Sequence, residues 1–68
     1  MTYVTTVYKE ENGGRARADV LLEEGTYAIE FFDTRGEMIK REEFPGKSIA
    51  YVEDAAENWV LGIKLLNE

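Results

Sequence analysis

As far as Phe44 apolar residues recur at two-residue spacing, as in Ala16, Ala18, Val20, Leu22 and Tyr27, Ile29, Phe31, and only after Ser48 do they recur at three- and four-residue intervals. Alternation is the signature of a strand with one buried face, and the longer interval that of an amphipathic helix. Turn residues cut the alternating region into four strands, at 2–10, 15–23, 26–33 and 37–44. Asn12-Gly13 fits a type I′ hairpin, whose two central residues both need positive φ. Glu24-Gly25 reads as a second two-residue turn, and Thr34-Arg35-Gly36 as a three-residue loop with glycine in the left-handed position. Pro45-Gly46 ends the fourth strand, Ser48 stands where a helix N-cap belongs, and a helix is predicted over 49–66.

The second strand is the one whose composition argues against it, since Arg15, Ala16, Leu21, Leu22, Glu23 and Glu24 are good helix formers. Register decides for a strand. A two-residue turn at Glu24-Gly25 sets Leu22 opposite Tyr27, Val20 opposite Ile29 and Ala18 opposite Phe31, so all the apolar partners share one side. The same rule places Tyr3, Thr5 and Val7 on that side, and the third loop adds Ile39. On the helix, Ile49, Val52, Ala55, Ala56, Trp59, Val60, Ile63 and Leu66 form one arc that covers this face, with Glu53, Asp54, Glu57, Asn58 and Lys64 opposite. Trp59 lies near the middle of the arc and is expected to plug the centre of the sheet. The fold class is α+β: a four-stranded antiparallel β-meander with one C-terminal helix on one face, ββββα, as a single domain over 1–68.

The other side of the sheet has no segment left to cover it. One cross-strand row there reads Val4, Leu21, Ala28, another reads Tyr8, Arg17, Phe32, Met38, and between them lies Thr6, Asp19, Glu30, Lys40, with Glu30 and Lys40 a favourable pair. Contiguous apolar rows on a small protein mark an interface, and aromatic, Met and Arg side chains are the types enriched there. Leu61 and Leu65, one helical turn apart beside Gly62, point away from the core arc and join the candidate interface with Val4, Tyr8, Arg17, Leu21, Phe32 and Met38.

Composition narrows the function classes. The chain of 68 residues contains no His and no Cys, which removes the commonest nucleophiles, bases and zinc ligands and leaves packing alone to hold a thin core. Fourteen acidic residues against eight basic give a net charge of -6, which opposes nonspecific binding to nucleic acid or anionic membrane. No apolar run approaches a membrane span and the N-terminus has no basic leader pattern, so a cytoplasmic protein is expected.

Three motifs lead nowhere. Gly46-Lys47-Ser48 before a helix resembles the end of a phosphate-binding loop, but Arg41 stands where that motif needs its first glycine. The acidic groups Glu10-Glu11, Glu23-Glu24, Glu42-Glu43 and Glu53-Asp54-Glu57 fall on turns, strand ends and the polar helix face and lack the spacing of a calcium loop. Tyr3, Tyr8 and Phe32 with Arg15, Arg17 and Arg35 resemble a base-stacking platform, against which the acidic total argues.

The expectation is therefore a non-catalytic interaction module without cofactor or metal, pairing with itself, most simply as a dimer, and with a further protein partner as an option. The alternative is an acidic inhibitor that imitates nucleic-acid phosphates and fills a basic groove on another protein.

Overall fold

The structure is a computed structural model that describes residues 2–11 and 13–60. It contains four strands, β1 (Thr2–Glu11), β2 (Gly14–Glu23), β3 (Thr26–Phe32) and β4 (Met38–Phe44), and one helix, α1 (Ile49–Val60). The strands form one antiparallel sheet in the order β1-β2-β3-β4, and α1 packs on one face, the ββββα arrangement expected from the alternation. Among the described residues no helix is long and apolar enough to cross a membrane.

Turn chemistry sets the registers. Glu23 pairs with Thr26 across Glu24 and Gly25, both at positive φ (51° and 82°), which is the type I′ geometry whose twist matches that of the strands it joins. At the β3–β4 turn, Asp33 accepts the backbone N–H groups of Arg35 (2.9 Å) and Glu37 (3.0 Å) on one carboxylate oxygen. The Asp33 and Gly36 N–H groups donate to the carbonyls of Glu37 and Asp33. Pro45-Gly46 forms a turn closed by Lys47 N–H to the Phe44 carbonyl at 3.2 Å, with Gly46 at φ 76°. Ser48 then caps α1: its hydroxyl accepts the Tyr51 N–H and its carbonyl the Val52 N–H.

The central pairs are those the sequence predicts, Ala18 with Phe31, Val20 with Ile29 and Leu22 with Tyr27. Ala16, Ala18, Val20, Ile29, Phe31, Phe44, Val52, Ala56 and Trp59 form the core, with Val7, Tyr27, Ile49, Ala55 and Val60 packed at its margin. Trp59 is 6% exposed; its ring meets Phe31 at 5.1 Å between centroids, and the Lys9 ammonium lies 5.2 Å from it on the other strand edge.

Two β-bulges overturn part of the expected register. One lies between Tyr3 and Thr5 on β1, the other opposite Phe31 and Phe32 on β4. An extra residue inverts the facing of everything beyond it. Tyr3, expected in the core, therefore stands opposite Leu21 on the other face and is exposed, while Ile39, also expected in the core, is 53% exposed. Phe44 takes the vacated place, buried opposite Tyr27, and Arg41 in place of Lys40 faces Glu30. The predicted helix beyond residue 60, with Ile63, Lys64 and Leu66, lies outside the described residues.

Candidate interaction face

The burial of Val20 and Ile29 under α1 turns their neighbours to the other face, where the pairs align in rows. From the open end of the β2–β3 turn these read Tyr3, Leu21, Ala28, Glu43; then Thr6, Asp19, Glu30, Arg41; then Tyr8, Arg17, Phe32, Met38. Glu10 and Arg15 end the face beside the first turn. Among the described residues nothing covers it.

Of the expected interface residues, Tyr8, Arg17, Phe32 and Met38 share one row as predicted, with Tyr8 and Met38 each 53% exposed. Tyr3, which the uninterrupted alternation assigns to the core, joins this face at 59% exposure. Val4 does not face Leu21; it is the extra residue of the β1 bulge. Leu21 belongs to the face but is buried, as is Ala28 beside it, so this row is not the open apolar strip that the alternation predicts. Leu61 and Leu65 lie outside the described residues.

The cover over Ala28 comes from the face itself. Arg41 donates from Nη1 to Glu30 at 2.7 Å and from Nη2 to Glu23 at 3.0 Å, with Glu43 at 3.6 Å. Glu23 lies on β2 and Arg41 on β4, so their bridge passes over β3 at Ala28, the position between Thr26 and Glu30 on this face. The hydrogen bond to Glu30, and then that to Glu23, raises the Arg41 pKa further above its ordinary value, so the guanidinium is a permanent cation in this site. A hollow of about 330 Å³ remains beside it, lined by Glu23, Glu24, Thr26, Ala28, Arg41, Glu43 and Pro45.

A second network occupies the middle. The Thr6 hydroxyl donates to Asp19 at 2.8 Å and accepts from the Tyr3 hydroxyl, while Arg17 Nε donates to both Asp19 oxygens at 3.2 and 3.3 Å. Held in this way, the Arg17 guanidinium lies 3.9 Å from the centre of the Phe32 ring, and Arg15, paired with Glu10 at 3.1 Å, lies 5.0 Å from that of Tyr8. Both arginines thus flatten the aromatic row into one composite surface. Each arginine of the face is already bound to a carboxylate of the same face.

Elsewhere the discarded motifs have structural employment. Lys47 of the loop-like Gly46-Lys47-Ser48 lies over the Tyr51 ring at 4.7 Å, and Tyr51 in turn packs edge-on against Phe44. Asp33 holds its own turn, and the backbone hydrogen bond from Glu37, opposed by burial and assisted by the hydrogen bonds and charge of Arg35, keeps its carboxyl below the usual carboxylate value. Comparison with protein-family models, with curated proteins and with solved structures finds no match.

Proposed function

We propose that the protein is a small non-catalytic interaction module that pairs with a second copy of itself through the open face of the sheet. The observation that carries this reading is the row Tyr8, Arg17, Phe32, Met38, together with Tyr3: large aromatic and thioether side chains, partly flattened by stacked arginines, with no element of the described chain over them. Burying such a row gains about 25 cal/mol for each Å² removed from water. A second copy suits the face electrostatically. Its arginines are already paired with Glu10, Asp19, Glu30 and Glu23, so a like surface strands no guanidinium, whereas a phosphate backbone meets guanidinium groups that are occupied and a chain of net charge -6. The reading includes a reducing, cytoplasmic setting, which a chain without cysteine suits.

One observation favours the acidic-inhibitor reading: Glu53, Asp54 and Glu57 are exposed on the outer side of α1 and make no ion pair among the described residues. The two readings separate in light scattering. The wild-type protein at micromolar concentration is expected to run as a dimer or larger assembly, and Tyr3→Glu with Met38→Glu, both at exposed positions, as a folded species of lower mass. A wild type that remains monomeric at high concentration and binds a polylysine peptide in a salt-sensitive manner supports the inhibitor instead.

A further inference from the structure

The two edges of the sheet are built differently. β4 carries Lys40, Arg41, Glu42 and Glu43 in succession, is bulged beside Phe31, and runs into Pro45. These are the devices by which edge strands resist pairing with other chains. On β1, every residue from Thr2 to Tyr8 is uncharged and either β-branched or aromatic. Its bulge lies towards one end, which leaves Thr5–Glu11 in regular register with β2. The middle of this edge has neither charge, proline nor bulge.

Hairpin geometry decides which backbone groups of β1 are free. A two-residue connection closes on a hydrogen-bonded pair, here Glu11 with Gly14, and such pairs alternate along an antiparallel ladder. Lys9, Val7 and Thr5 are therefore bonded inward to Ala16, Ala18 and Val20. Thr6, Tyr8 and Glu10 direct their N–H and C=O groups away from the sheet.

We propose that this edge pairs antiparallel with the same edge of a second copy, with Tyr8 on the two-fold axis. Tyr8 is the centre of the regular segment Thr5–Glu11. In this register Thr6 stands opposite Glu10 of the second copy and Val7 opposite its Lys9, so each outward-directed residue meets another and can exchange both hydrogen bonds with it. The sequence complements itself in this direction, because the charged end, Lys9-Glu10-Glu11, falls against the uncharged Thr5-Thr6-Val7. Parallel self-pairing in register sets Lys9 beside Lys9 and Glu10 beside Glu10, which repel. The outcome is one sheet continuous through both copies, with both helices on the same side. The partner is the one proposed for the open face, but the surface is different, and each contact stands or falls without the other.

Amide hydrogen exchange on the full chain tests it. In the assembled wild type, the amides of Thr6, Tyr8 and Glu10 are expected to exchange more than about tenfold slower than in a dilute monomeric sample. Tyr3→Glu with Met38→Glu, which disables the open face, is expected to leave that protection in place. In that face-disabled background, Glu10→Pro, which deletes one outward N–H, and Tyr8→Lys, which sets like charges on the axis with the backbone intact, are both expected to abolish it while Val7 and Lys9 stay protected. Rapid exchange at Thr6, Tyr8 and Glu10 in an assembled wild type overturns the edge contact and leaves the face contact standing. Equal protection at all concentrations also overturns it, since the edge is then covered from within one chain.

Discussion

Arg41 on β4 reaches Glu23 on β2 across the whole width of β3, at 3.0 Å, and roofs Ala28. With the bulge that removes Val4 from its row, this side chain replaces the apolar strip that the alternation predicts by a charged lid over Ala28, and leaves Tyr3, Tyr8 and Met38 as the exposed large apolar side chains aligned in the rows of this face. Arg41→Met keeps much of the stem but leaves Glu23, Glu30 and Glu43 close together without their common cation. It is expected to lower Tm, with the loss narrowing as salt screens the acids, and a double-mutant cycle with Glu23→Gln should give a favourable coupling. Additive single-mutant effects would show that the bridge contributes nothing.

The core centres on Trp59 against Phe31. Trp59→Ala is expected to cost about 3–5 kcal/mol, comparable with the whole stability of so small a domain. In the wild type, Trp59 fluorescence should be blue-shifted and resistant to acrylamide until urea unfolds the chain.

Glu24 is the only non-glycine residue at positive φ among the described residues, a conformation that costs an L-amino acid with a long side chain about 1 kcal/mol. Asn tolerates it better and is the favoured first residue of a type I′ turn. Glu24→Asn should raise the urea midpoint at an unchanged m-value.

The fold was legible because β2 and β3 pair without a bulge and their apolar partners share one side, so pairing across Glu24-Gly25 fixes both faces at once. The bulges were not, because β1 carries apolar residues at both parities, Tyr3 and Val7 against Val4 and Tyr8. On β4 a signal was present. Ile39 and Phe44 lie five positions apart, and no strand of strict two-residue period places both on one face, so either one is exposed or the strand is bulged. Both hold. The Arg41 bridge follows from that bulge and was hidden with it, whereas the Tyr8, Arg17, Phe32, Met38 row was visible because it follows directly from the well-registered β2–β3 pair and its two immediate neighbours.

Asp33 provides a pH signature for the β3–β4 turn. Its pKa is lowered in the folded protein, chiefly by the Glu37 N–H, so its contribution is present above the ordinary carboxylate value of about 4 and is lost as pH falls through the lower folded value. The Tm difference between wild type and Asp33→Ala should be constant near neutrality and shrink below about pH 4. A difference that persists unchanged to low pH would mean that the ionised carboxylate does not hold the turn.

Self-association through the open face is tested most directly by concentration-dependent amide chemical shifts in uniformly ¹⁵N-labelled protein. Dilution through the dissociation range is expected to move the resonances of Asp19, Arg17, Phe32 and Met38, which lie on the face away from the β1 edge, while those of Glu53, Asp54 and Glu57 on the outer side of α1 stay fixed. Shifts that are independent of concentration, or confined to the outer side of α1, would contradict it.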